Sequence, residues 1–177
     1  MNFTGILFIF FWQDNCILAI IMYEMLANQY FLARKYARAC DAYEKVLAKR
    51  PEDKFIRRKL IICYTQIGEI KKAADVFISC LEDDIECIIQ IDPIAEDCPC
   101  PELVTELEKK LVNNLNSLDF HLMLGMLWLY CDANISLDYF FKAQRLAPEN
   151  AVVKYIILLI TSHQNKRVRK AKQMTSD

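Results

Sequence analysis

Residues 20–53, IIMYEMLANQYFLARKYARACDAYEKVLAKRPED, and residues 54–87, KFIRRKLIICYTQIGEIKKAADVFISCLEDDIEC, decide the fold. Laid over one another at an offset of 34, Leu26 falls on Leu60, Tyr30 on Tyr64, Ala39 on Ala73 and Tyr43 on Phe77. Self-similarity at such a period marks a supersecondary unit that buries its apolar face by stacking on its neighbour. The matched residue types are those an antiparallel helix pair needs where it interlocks. Small Ala39 and Ala73 let the second helix approach the first, and Tyr43 and Phe77 fill the space against the next unit. Gly68 falls between the two helices of the second stretch, where a tight turn needs a free backbone. Pro51 ends the second helix of the first stretch, since proline cannot continue the hydrogen-bond ladder.

A third stretch, 118–150, carries Leu124-Gly125, Trp128, Phe140, Ala143 and Pro148. It is one residue short around Asp132–Asn134, and Ser136 stands near the expected alanine. Together the three stretches resemble the tetratricopeptide repeat family. In family order the first helix reads Tyr23, Leu26, Ala27, Tyr30 and the second Ala39, Tyr43, Val46, Pro51. The second unit reads Leu60, Tyr64, Gly68, Ala73, Phe77, Cys80, and departs from the pattern at Arg57 (usually aromatic) and Ile85 (usually proline). The resemblance covers about 100 residues. It implies an all-α fold: helix-turn-helix repeats forming a short right-handed α-solenoid, with an inserted helix and a C-terminal capping helix.

Composition agrees with a helical chain. There are 3 Gly and 5 Pro in 177 residues, well below average usage, which excludes a hairpin-rich β fold, a Gly-rich phosphate loop and low-complexity disorder. Net charge is −1, but the charges are segregated. Residues 34–72 are net +7, residues 75–108 net −11 and residues 142–172 net +7. Such blocks steer partners rather than set the fold. Cys40, Cys63, Cys80 and Cys131 lie in helical apolar patterns, where a thiol acts as a small hydrophobe. That favours a reducing, cytoplasmic compartment over a secreted disulfide scaffold.

The organisation expected is an apolar N-terminal segment 1–19, repeat units 1 and 2 over 20–87, an inserted segment 88–117, unit 3 over 118–150, and a capping helix with a basic tail over 151–177. Residues 1–23 hold one charge, Asp14. Gln13-Asp14-Asn15 splits the segment into apolar runs too short to span a bilayer. Three readings stand side by side: a helix on the core, a membrane anchor, or a chain that really starts at Met22. The insertion opens with an acidic, proline-containing stretch through Cys98-Pro99-Cys100-Pro101. A helix over about 101–116 follows, with Leu103, Leu107, Leu111 and Leu115 as an apolar stripe and Val104 beside it. The terminal helix, about 150–172, is apolar early (Val152, Tyr155, Ile156, Leu159) and basic late, and resembles the helix that covers the last repeat of such an array.

Catalytic chemistry is not indicated. His121 and His163 are the only histidines, and no nucleophile set or phosphate loop stands out. The acid run at Asp83, Asp84 and Glu86 reads as a solvated face. Cys98-Pro-Cys100 lacks the Cys-x-x-Cys spacing and four ligands of a zinc site, so a structured loop is preferred to a metal or redox role. No metal or cofactor is expected. The basic run Lys166–Lys172 reads first as a frayed, dipole-complementing helix end, next as a segment that binds an acidic partner or folds back on 82–108. It has no stacking aromatics, which argues against single-stranded nucleic acid.

The resemblance implies that the first helix of each repeat lines a groove that takes a partner peptide or helix. The groove candidates it implies are Glu24, Asn28, Phe31, Arg58, Ile62, Thr65 and Gln66, with Leu122, Met126, Leu129 and Tyr130 from the third unit. In the family's carboxylate clamp a lysine and an asparagine stand one turn apart. Asn28 fits, but Glu24 replaces the lysine and would repel a carboxylate, so the clamp is rejected. The function expected is a non-catalytic protein-interaction module (adaptor, scaffold or chaperone-like), with protein or peptide partners. Self-association stays open, as does a membrane-associated assembly factor held by residues 1–23.

Overall fold

A computed structural model describes residues 3–91, 100–110 and 115–174 of the chain, with side chains over 18–91, 101–110 and 115–173. The described residues form helices and no strand. In chain order the helices are α1 (Phe3–Leu32), α2 (Tyr36–Leu47), α3 (Lys54–Ile67), α4 (Ile70–Asp84), α5 (Glu86–Ile89), α6 (Cys100–Lys110), α7 (Leu118–Trp128), α8 (Ala133–Leu146) and α9 (Ala151–Met174). The fold is all-α. The chain divides into two compact units, Met1–Ile67 and Gly68–Asp177, and the division falls between the two helices of the second 34-residue stretch.

In the first unit α2 packs on both α1 and α3. Ala39 and Tyr43 have no exposed surface, and neither do Val46 on the same face of α2, Ala27 of α1 and Leu60 of α3. A small residue at 39 and a ring at 43 are what brings two helices this close. The α1–α2 turn closes through Lys35 N–H to Tyr30 O at 2.8 Å and Arg34 N–H to Phe31 O at 3.0 Å. That pair of bonds is a Schellman cap, with Arg34 in the left-handed position (φ 58°) that glycine normally takes. After α2, backbone bonds run on to Arg50 N–H, which reaches Val46 O at 2.9 Å. They stop at Pro51, so the helix itself ends at Leu47 and proline closes the frayed turn behind it. Asp53 then opens α3, its Oδ1 accepting from Ile56 N–H at 3.1 Å. Arg57 stands where the repeat pattern has an aromatic. Its stem is buried and its Nε donates to Pro51 O at 2.8 Å, while a terminal nitrogen pairs with Glu52 at 3.1 Å. A long charged side chain thus fills an apolar position by satisfying its head on the preceding loop.

In the second unit α7 packs on α8, α8 on α9, and α4 on α7 and α9. Ser117 caps α7, accepting from Phe120 N–H at 3.2 Å. Asp132 caps α8 in the shortened turn, accepting from Asn134 and Ile135 N–H at 2.7 and 3.1 Å. Asn150 caps α9, accepting from Val153 N–H at 3.1 Å. Gly125 lies under Phe140, whose ring also stacks at 5.9 Å on Phe77 of α4. Ser136, at the expected alanine position, donates to Gly125 O at 2.7 Å and is fully buried. The hydroxyl costs nothing there because it is satisfied.

Several expectations are corrected. The inserted helix α6 spans Cys100–Lys110 and buries Leu103, Val104 and Leu107, whereas Leu115 is exposed. Leu111 lies outside the described residues, as do Cys98 and Pro99. The helix packs on α7, and Glu108 Oε1 accepts from both Trp128 Nε1 (3.0 Å) and Tyr139 Oη (2.8 Å). On α9 the buried face is Val153, Ile156, Ile157 and Ile160, while Val152 and Tyr155 are exposed. Residues 152–160 are apolar on two faces, so periodicity alone could not choose between them. Cys131 is exposed in the α7–α8 turn, unlike Cys40, Cys63 and Cys80, which are buried.

Candidate interaction surface

The groove candidates of the first unit divide by burial. Phe31, Arg58, Ile62 and Thr65 are buried; Glu24, Asn28 and Gln66 are half-buried. Asn28 is a junction of three helices: its Oδ1 accepts from Tyr43 Oη of α2 at 2.7 Å and from Lys59 Nζ of α3 at 2.9 Å. The same Lys59 ammonium lies 5.4 Å from the centre of the Phe31 ring. Glu24 pairs with Arg50, which also reaches Asp53 at 3.4 Å. Thus the polar groups of α1 that a partner would be expected to meet are held by α2, α3 and the loop between them. Thr65 Oγ1 donates to Ile62 O at 2.7 Å, inside its own helix. Gln66 keeps a buried amide nitrogen with no hydrogen-bond partner among the described residues.

The open part of this face lies at the start of α3. Phe55 is 61% exposed, and the Arg58 guanidinium lies over its ring at 4.6 Å. Nothing in the repeat pattern singles out Phe55. The signal that could have found it is an aromatic three residues before an arginine on one helical face.

No family model matches the chain. No curated protein matches it. Among solved structures, the crystal structure of MamA protein is similar at a TM-score of 0.37 and 17% identity, over 89% of this chain and 88% of that chain.

In the second unit the remaining candidates, Leu122, Met126, Leu129 and Tyr130, are buried. They belong to α7 and its C-terminal turn, and α6 packs on α7. Met126 has no exposed surface, so it offers a partner nothing in this conformation. His121 is buried too, its Nδ1 2.8 Å from Ser117 O and its ring 6.2 Å from that of Tyr139. That is a satisfied core histidine.

Residues of the acidic stretch and of α9 meet inside this unit. Tyr155 Oη of α9 donates to Glu82 Oε1 at 2.7 Å, and His163 Nε2 lies 2.9 Å from Glu86 Oε1. Bonding to the Glu82 carboxylate pushes the Tyr155 hydroxyl pKa up. An open cleft of about 370 Å³ has Asp83, Asp84 and Glu86 on one wall and Lys166, Arg167 and Lys170 on the other. Part of the acidic stretch is therefore engaged by α9. Among the described residues no group of three His, Cys, Asp or Glu side chains could hold a metal ion. Among the same residues no helix is long and apolar enough to cross a membrane.

Proposed function

We propose that the chain is a non-catalytic protein-interaction module of the tetratricopeptide type, which seats a helix or extended segment of a partner against the α1–α3 face of the first unit. The observation that carries this is the Phe55–Arg58 pair. An exposed ring fixed under a buried arginine has the composition of an interface hot spot, and it is preorganised, so little side-chain entropy remains to be lost on binding. The scaffold of the first unit is locked by the Tyr43–Asn28–Lys59 bonds. The repeat-type reading is supported by residue types at the interlocking positions: Ala39 and Tyr43 in the first unit, Gly125, Ser136 and Phe140 in the second. A reducing, cytoplasmic setting belongs to the same reading, supported by the buried thiols of Cys40 and Cys63.

Affinity capture with mass spectrometry, comparing the wild type with Phe55→Ala/Arg58→Ala, tests it. The double variant is expected to keep the wild-type helical content and to lose a defined set of partners. An unchanged set would overturn the assignment of this face.

A further inference from the structure

The outward face of α1 carries a second surface, independent of the α1–α3 face. Residues 15–33 hold a single charge, Glu24, and that charge is paired with Arg50. Inward, the helix buries Ala27 and Phe31 against the unit. Outward, Leu18, Met22, Met25 and Leu32 are 56%, 63%, 59% and 59% exposed. A helix that is apolar all round is normally covered on every side, and among the described residues this one is covered on one.

The outward residues are not scattered. Leu18, Met22, Met25, Gln29 and Leu32 follow one another at alternating steps of four and three, the spacing of a two-helix seam. Leucine or methionine holds every seam position but one, and the exception, Gln29, is a polar residue of the kind that fixes register in such seams. The seam borders a hollow of about 440 Å³ lined by Ala19, Met22, Tyr23, Met25, Leu26 and Gln29, into which a knob from a facing helix can insert. With Ile21, Tyr23 and Leu26 included, the exposed apolar side chains amount to roughly 600–700 Å², against about 800 Å² contributed by each partner of a standard interface.

We infer that this face of α1 binds the same face of a second copy of the chain, forming a two-fold symmetric dimer. An uncharged seam matches a partner that is equally uncharged and equally spaced, and a second α1 is such a partner. Two-fold symmetry makes the contact self-complementary and closed. With the axis at Met25, Met25 meets its own copy and Leu18 meets Leu32 of the partner.

Sedimentation equilibrium of the full chain tests the inference. The wild type is expected at twice 20.7 kDa. Met25→Glu and Met25→Lys, each on an exposed site and each checked by circular dichroism for unchanged helicity, are expected to be monomers, because like charges then meet at the axis. An equimolar mixture of the two variants is expected to restore the dimer. A wild type that stays monomeric up to its solubility limit would overturn the inference. So would a dimer indifferent to both variants, or a mixture that stays monomeric. Flotation with phosphatidylcholine–phosphatidylglycerol vesicles adds one further outcome. A monomeric wild type that floats, beside a Met25→Glu variant that does not, assigns the face to a bilayer and overturns the dimer.

Discussion

The ring of Phe140 rests on Gly125: a methyl group built on the glycine would stand 2.9 Å from the ring's Cε2 and Cζ atoms. The ring has no exposed surface and is backed by Phe77, so it has little room to withdraw. Gly125→Ala gains about 1 kcal/mol of helix propensity and incurs about 1–3 kcal/mol of overpacking. A net loss of about 1 kcal/mol in urea unfolding is expected. Adding Phe140→Leu, which clears the space, should recover part of it. A Gly125→Ala protein more stable than wild type would show that the α7–α8 crossing is looser than described.

Asn28 Oδ1 serves two donors at once, Tyr43 and Lys59. Asn28→Ala leaves the Tyr43 hydroxyl without its acceptor at a part-buried site, at an expected cost of about 1–2 kcal/mol. Tyr43→Phe removes the donor and should cost about 1 kcal/mol. Because both variants break one bond, a double-mutant cycle is expected to show coupling of at least about 0.5 kcal/mol. Strict additivity would mean that the junction contributes nothing.

Arg34 holds the left-handed turn position at φ 58°, where a β-carbon costs about 1–2 kcal/mol. Against this, its guanidinium makes an exposed hydrogen bond to Tyr36 Oη at 3.1 Å. Arg34→Gly should raise stability by about 0.5–1 kcal/mol, seen as a higher thermal midpoint. Arg34→Ala keeps the strained backbone and should show no such gain.

Four hydroxyls are held protonated in the fold. Burial raises the pKa of Tyr43, Tyr64 and Tyr139, with Glu44 beside Tyr64 and Glu108 beside Tyr139 adding to it, and the bond to Glu82 raises that of Tyr155. In the unfolded chain each ionises near pH 10. Below that pH both states are protonated and the stability is intact. Above it the unfolded state releases protons that the folded state keeps, so stability falls as pH rises beyond about 10. Of the 8 tyrosines, these four should ionise late in an alkaline absorbance titration, those of the buried sites together with loss of helix. Free titration of all eight before unfolding would contradict their burial.

The interlocking positions were legible because close helix packing leaves a residue-type signature. Ala39, Tyr43, Ala73, Phe77 and Phe140 stand out as small-against-ring choices, and all five are fully buried. The first helix was less legible. α1 runs unbroken from Phe3 to Leu32 through Gln13-Asp14-Asn15, since three polar residues that are not proline remove no backbone bond. Arg34 gave no turn signal, because arginine is not a residue that turns select. The groove candidates of α7 were drawn from repeat positions, and no local pattern says where an inserted helix such as α6 will pack. Its contact through Glu108, Trp128 and Tyr139 joins residues up to 31 positions apart. Phe55 was missed for the converse reason: its importance lies in exposure, which periodicity does not report.

Amide hydrogen exchange of the full chain, alone and with a captured partner bound, tests the central claim most directly. The α1–α3 face predicts added protection over residues 24–32 and 54–66, with α7 and α8 unchanged because their faces are already buried. Added protection over 118–146 instead, with 24–32 and 54–66 unaltered, would contradict it.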